Sequence, residues 1–178
     1  MLTIAPPEAA EARSNSTFEA LMWSMARPGE TRDMPVPGLA PVIEALIDRE
    51  CVVYTDSDVL RQQIIETGAE IGSVTESDHL FLETMTQASD ALAMIRCGSA
   101  LYPDDGATLV VQVEQGGGER LRLSGPGIEG HREIKLALPA AFWRQRRDLC
   151  LYPEGFELIL VDGHSLISIP RSTDVEVL

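Results

Sequence analysis

FELILVDGHSLISIPRST, Phe156 to Thr173, reads as two strands joined by a tight turn. Leu158-Ile159-Leu160-Val161 is an apolar run of strand length, and Leu166 to Ile169 is a second. Between them, Asp162-Gly163 predicts a type I′ turn, which needs positive φ at both central residues. Pro170-Arg171 then closes what reads as an edge strand. Arg171, Ser172 and Thr173 place one guanidinium and two hydroxyls at that end. A similar cluster lies near the other end of the chain, MARPGETR, Met25 to Arg32.

Upstream of the hairpin the patterning stays legible. Pro139 opens a helix carrying Phe142, Trp143 and Leu149. His131 to Leu136 reads as a strand, and Gly125-Pro126-Gly127 as a break. Arg120, Leu121, Arg122 and Leu123 alternate with period two, a half-buried strand with its arginines facing water. Gly116-Gly117-Gly118 reads as a flexible hairpin connection, and Thr108 to Val113 as a strand. In the first half, strands alternate with helices. Cys51 to Thr55 and His79 to Leu82 read as strands, with a short one near Ile71 to Val74. Pro41 suits the first turn of a helix lined by Val42, Ile43, Leu46 and Ile47. Asp56 or Ser57 caps a helix facing inward through Leu60, Ile64 and Ile65, and Gly68 stops it. A further helix spans about 87–96.

At the amino end, Ser16 and Glu19 fit a capping box. Phe18, Leu21, Met22 and Met25 follow at helical spacing as one apolar stripe. Residues 1–14 read as a frayed terminus and 15–178 as a single domain. Early βα alternation followed by hairpins favours an α/β fold, a mixed sheet with helices on both faces.

Composition excludes several functions. The 178 residues carry a formal charge of −14, with a pI near 4.5, so nucleic acid and anionic membranes are repelled. A basic protein partner would suit that surface. No basic leader or apolar run of membrane-spanning length is visible. Thirteen of the fourteen cationic residues are arginines, so Schiff-base chemistry would have to use Lys135. Cys51, Cys97 and Cys150 lack a CxxC spacing and read as buried, reduced thiols of a cytosolic protein. His79, His131 and His164 lie far apart, with no metal-binding spacing. There is no GxSxG elbow and no GK[ST] after the glycine run.

What remains are arginines beside glycines and hydroxyls. Arg27 ends a helix, where the macrodipole favours its charge, and its guanidinium also suits an anion. Arg171 suits either a carboxylate partner or a ligand. Gly125 to Gly130 reads as a tight loop whose N–H groups could instead form an anion nest. Arg144, Arg146 and Arg147 form a basic patch on a helix, suited to an acidic neighbour.

Taken together, several motifs resemble the PhnH family, the H subunit of the bacterial carbon–phosphorus lyase system. They are Phe18 with Met25-Ala26-Arg27-Pro28-Gly29; Ala45 to Glu50; Gly106 to Val110; Leu123-Ser124-Gly125-Pro126-Gly127-Ile128; Phe142-Trp143; and Leu158 to Gly163 with Pro170-Arg171. They run in family order from about residue 15 to residue 173. The resemblance implies a three-layer α/β/α sandwich with a mixed sheet, like a reduced PLP-dependent transferase fold that binds no PLP or other cofactor. It implies a homodimer in isolation and a cytoplasmic assembly with the PhnG, PhnI and PhnJ subunits. With PhnG, PhnI and PhnL, the H subunit supports replacement of the adenine of ATP by a phosphonate. The product is α-D-ribose 1-methylphosphonate 5-triphosphate. The family implies no catalytic residue and no metal. The alternative, on chemical grounds rather than from the resemblance, is a subunit that itself binds ATP or a phosphonate through Arg27, Gly29, Gly125, Gly127 and Arg171.

Overall fold

A computed structural model describes residues 8–84 and 90–178. The chain forms α1 (Ala9–Ala26), β1 (Arg32–Asp33), α2 (Ala40–Leu46), β2 (Val52–Thr55), α3 (Asp58–Thr67), β3 (Glu70–Ile71) and β4 (His79–Leu82). Then follow β5 (Thr108–Gln112), β6 (Gln115–Ser124), β7 (Arg132–Leu136), α4 (Ala140–Leu149), β8 (Glu157–Asp162), β9 (Ser165–Ile169) and β10 (Asp174–Val177). Residues 90–92 are helical but 93–96 are not, so the helix expected over about 87–96 stops at Leu92; residues 87–89 lie outside the described residues.

Two sheets result. The larger has the order β1-β9-β8-β5-β4-β2-β3. Its middle is parallel, β2 with β3 and β4, β4 with β5, and β5 with β8, while β9 and β1 add on antiparallel. The smaller is an antiparallel sheet of order β10-β6-β7. Alternation distributes the core. Leu80, Leu82, Leu109, Val111, Leu158 and Leu160 face one side, and Phe81, Val110, Ile159 and Val161 face the other. The second side is covered by α1, α2 and α3 through Leu21, Val42, Ile43, Leu60 and Ile64. The first is covered by the small sheet and α4, through Leu121, Leu123, Leu136, Phe142, Trp143 and Val175. The fold is therefore α/β with a mixed sheet, as expected, but its third layer is largely a second sheet rather than helices alone. Val175 and Val177 alternate in the last strand, which pairs with β6 and was not anticipated.

Local chemistry explains several boundaries. Ser57 caps α3 by accepting from the Leu60 N–H at 3.3 Å, and Gly68 ends it with φ 88°. β4 spans the expected residues, and Pro139 immediately precedes α4.

Other elements depart from expectation. α1 starts at Ala9, so residues 9–14 are helical and Ser16 lies within the helix, its hydroxyl donating to the Ala12 carbonyl. No capping box forms. α1 also turns a different face to the sheet: Thr17, Ala20, Leu21 and Ser24 are buried, while Phe18, Met22 and Trp23 are exposed. Small side chains let the helix approach closely, and Ser24 Oγ lies 2.5 Å from Ser168 Oγ of β9. The final hairpin turns at Gly163-His164, and only Gly163 has positive φ. Asp162 stays in the strand opposite Ser165, with Oδ2 accepting from the Gln115 N–H at 3.0 Å. That tertiary bond shifts the turn by one residue. β9 is not an edge, because β1 pairs with it. Gly116 to Gly118 lie inside β6, where the ladder to β7 is irregular between Gln115 and Glu119.

Candidate functional site

Three loops meet where α1 ends, between the two sheets. Arg27 is the C-cap of α1, its N–H donating to the Trp23 carbonyl at 3.0 Å. Gly29 follows with φ 76°, and its N–H donates to the Ser168 carbonyl of β9. A Cβ at Gly29 would come within 2.6 Å of Leu123 Cδ1. A Cβ at Gly127 would collide with the Ala26 carbonyl and lie 2.9 Å from Pro28 Cδ. At Gly125 it would lie 2.7 Å from the Ser172 carbonyl. The Arg-Pro-Gly turn, the Gly-Pro-Gly loop and the Ser172-Thr173 segment thus interlock. Close backbone approach requires glycine at 125 and 127, and the positive φ of residue 29 favours it there.

Charges reinforce this corner. Arg132 donates to the Pro28 carbonyl at 2.7 Å and to Glu30 at 2.8 Å, and Arg32 takes the other Glu30 oxygen at 2.5 Å. Arg27 is different. Its guanidinium is exposed and sits 5.8 Å from the centre of the Trp23 ring, within cation–π range.

Of the five site residues read from sequence, Arg27, Gly29, Gly125 and Gly127 come together here. Arg171 points elsewhere. Its side chain, 19% exposed, forms an ion pair with Glu157 at 2.6 Å and donates to the Pro103 carbonyl. Its N–H also donates to Glu157.

The basic patch on α4 is divided. Arg144 and Arg147 are exposed, but Arg146 is 2% exposed. It donates to the carbonyls of Thr173, Ile169 and Pro170 at 3.1, 3.3 and 2.7 Å. Burial pushes its pKa down from the usual arginine value. A periodicity signal was available, since Arg146 follows Phe142 and Trp143 by four and three residues on their inward face.

The remaining reactive groups are dispersed. Lys135 is exposed on β7 opposite Arg120. His164 Nδ1 lies 3.0 Å from the Met34 carbonyl, and His131 is exposed. The three cysteines are free and half-buried rather than fully buried, and burial raises the Cys51 and Cys97 thiols. Among the described residues no group of three or more His, Cys, Asp or Glu side chains is placed to hold a metal. An open cavity of about 430 Å³, lined by Arg13, Pro41, Glu44 and Glu66 among others, lies on the helical face among residues none of which belongs to the motif corner. No described helix is long and apolar enough to cross a membrane.

Comparison with known proteins identifies the family over nearly the whole chain. A family model described as "Bacterial phosphonate metabolism protein (PhnH)" matches residues 8–176. The chain is 28% identical over 187 residues to the "Putative C-P lyase subunit protein HtxG" of Stutzerimonas stutzeri, covering 99% of this chain and 95% of that protein. It is 28% identical over 182 residues to the "Alpha-D-ribose 1-methylphosphonate 5-triphosphate synthase subunit PhnH" of Rhizobium meliloti (strain 1021), covering 92% of this chain and 90% of that relative. With nearly its whole length matched, and its interlocking loops built from the motifs of that resemblance, the chain belongs to the PhnH family of bacterial phosphonate metabolism proteins.

Proposed function

We propose that the chain is a cytoplasmic subunit of a carbon–phosphorus lyase assembly in organophosphonate catabolism. There it supports formation of α-D-ribose 1-methylphosphonate 5-triphosphate from ATP and a phosphonate, without supplying catalytic groups. The observation that carries this is the family match over residues 8–176, together with two relatives matched over at least 90% of their length. The geometry supports a non-catalytic part, because the motif glycines and Arg171 are spent on packing and ion pairing. PhnG, PhnI and PhnJ are the partners, the isolated chain is a homodimer, and the sheet core follows a reduced PLP-dependent transferase plan. Co-production with PhnG, PhnI and PhnJ should yield one co-purifying assembly. A chain that always elutes alone would refute the proposal.

A second reading has its own observation. The Arg27 guanidinium is exposed and has no ion pair or side-chain hydrogen bond among the described contacts, so it is available to a phosphate or phosphonate oxygen. Titration calorimetry with ATP and with methylphosphonate, on wild type and Arg27→Ala, tests it in the chain and in the assembly. Heat that is absent everywhere, or unchanged in the variant, removes Arg27 from ligand binding.

A further inference from the structure

We infer that two apolar turns at the amino ends of the parallel strands form the face by which this chain docks onto a different protein, one with a basic rim. The inference rests on the subunit reading above and goes beyond it by naming the surface and the chemistry of its partner. Four of the five most exposed large apolar side chains among the described residues lie here: Leu101 at 84%, Tyr102 at 63%, Leu151 at 68% and Tyr152 at 75%. Concentrated apolar exposure of this kind marks interaction surfaces, whereas single exposed residues are ordinary.

The two turns are braced together. Ser99 and Tyr102 exchange backbone hydrogen bonds at 3.0 and 3.1 Å, which holds Leu101 at a tight tip. The Glu154 N–H donates to the Leu151 carbonyl, closing the second turn around Tyr152. Gly155 joins them, its N–H donating to the Cys97 carbonyl at 2.8 Å and its carbonyl pressed against Gly106. Arg171 pins the first turn through Pro103 and is itself fixed by Glu157. Side chains held outward on hydrogen-bonded turns lose little freedom on binding, which favours association.

Charge selects the occupant. Asp104 and Asp105 are exposed beside the first turn, and Glu154 flanks the second. The nearby cations are already engaged, Arg96 with Asp78 and Asp105, and Arg171 with Glu157. The chain as a whole carries −14. A second copy would bring two acidic rims face to face, whereas a partner with lysines or arginines around an apolar socket is complementary.

The test uses the full chain co-produced with PhnG, PhnI and PhnJ. Wild type, Leu101→Ser/Tyr152→Ser and Asp104→Lys/Glu154→Lys are compared by co-purification and by titration of the chain onto the remaining assembly. All four positions are partly or well exposed, and unchanged thermal unfolding confirms that each variant is folded. The serine variant should bind about tenfold weaker or worse. The lysine variant should bind weaker at low salt and approach wild type at high salt. Wild type that assembles beside a serine variant that binds equally well overturns the inference and leaves the subunit reading standing. Wild type that never assembles overturns both. A serine variant that instead turns a dimeric isolated chain into a monomer, seen by light scattering, shows a self-interface and overturns the choice of partner.

Discussion

Replacing Arg146 should destabilise the protein more than replacing any other arginine of α4. Its guanidinium holds three backbone carbonyls where β9 runs into β10, and its side chain is 2% exposed. In Arg146→Ala those carbonyls lose the guanidinium, although the Pro170 carbonyl keeps the Thr173 N–H at 2.9 Å. An unpaired buried acceptor costs about 1–3 kcal/mol. The losses at the Thr173 and Ile169 carbonyls are offset in part because the cation no longer has to be desolvated. The net expectation is a loss of about 2–4 kcal/mol. Arg146→Met fills the space and removes the charge, so about 1–3 kcal/mol remains from the carbonyls. Arg144→Ala, on the exposed face, should stay within about 0.5 kcal/mol of wild type. Urea unfolding followed by circular dichroism measures all three. With a slope of about 2 kcal/mol/M, a loss of 4 kcal/mol lowers the midpoint by roughly 2 M. Arg146→Ala unfolding within about 1 kcal/mol of wild type would show that the carbonyls find other donors, and the reasoning would fail.

Gly127→Ala should cost about 2 kcal/mol or more, since φ is 82° and the new Cβ meets the Ala26 carbonyl. Gly130→Ala has φ 68° but open space, so it should cost only about 1 kcal/mol; equal effects would discount the collision. Ser24→Ala leaves the buried Ser168 hydroxyl unpaired and should cost about 1–3 kcal/mol, part of it recovered in Ser24→Ala/Ser168→Ala. A double variant no better than the single would rule out that pairing as the cause. Burial pushes His79 below its ordinary pKa of 6.5, against the smaller opposing pull of Asp78 and Asp48, and its Nδ1 has no hydrogen-bond partner among the described residues. The unfolded chain therefore binds a proton before the folded one does. The corresponding stability is complete above about pH 6.5 and is lost as pH falls through the lowered folded value, at up to about 1.4 kcal/mol per pH unit. His79→Leu should flatten that part of the unfolding profile, and an unchanged slope assigns it to other groups.

The motif corner was only partly legible. Arg-Pro-Gly and Gly-Pro-Gly could be noticed as unusual loops, but nothing in either says that they press against each other. That contact depends on Leu123, in the strand that leads into the Gly-Pro-Gly loop, and on Arg132 and Ser172, which arrive from two other segments. Arg171 illustrates the opposite error. A lone arginine beside two hydroxyls looks available, yet Glu157, fourteen residues upstream, is its carboxylate partner. Arg146 shares the inward face of Phe142 and Trp143 by helical period, so spacing places it where a reading of the three arginines as one basic patch does not.

Where structure follows from interactions within a few residues, the sequence alone was decisive. Ser57 and Gly68 bound α3 because a hydroxyl can accept from the N–H three residues ahead and only glycine readily takes φ near 88°. Leu121 and Leu123 face inward because strand side chains alternate. Tertiary structure decided what depends on distant partners. It turned the small face of α1 toward β9 and left Phe18 and Met22 in solvent, because close approach to Ser168 outweighs the larger apolar stripe. It moved the last turn to Gly163-His164 by engaging Asp162 with Gln115. It also drew Asp174–Val177 onto β6, building a second sheet. Backbone hydrogen-bonding groups accept any matching strand, so periodicity marks a strand without naming its neighbour; the shared core selects it.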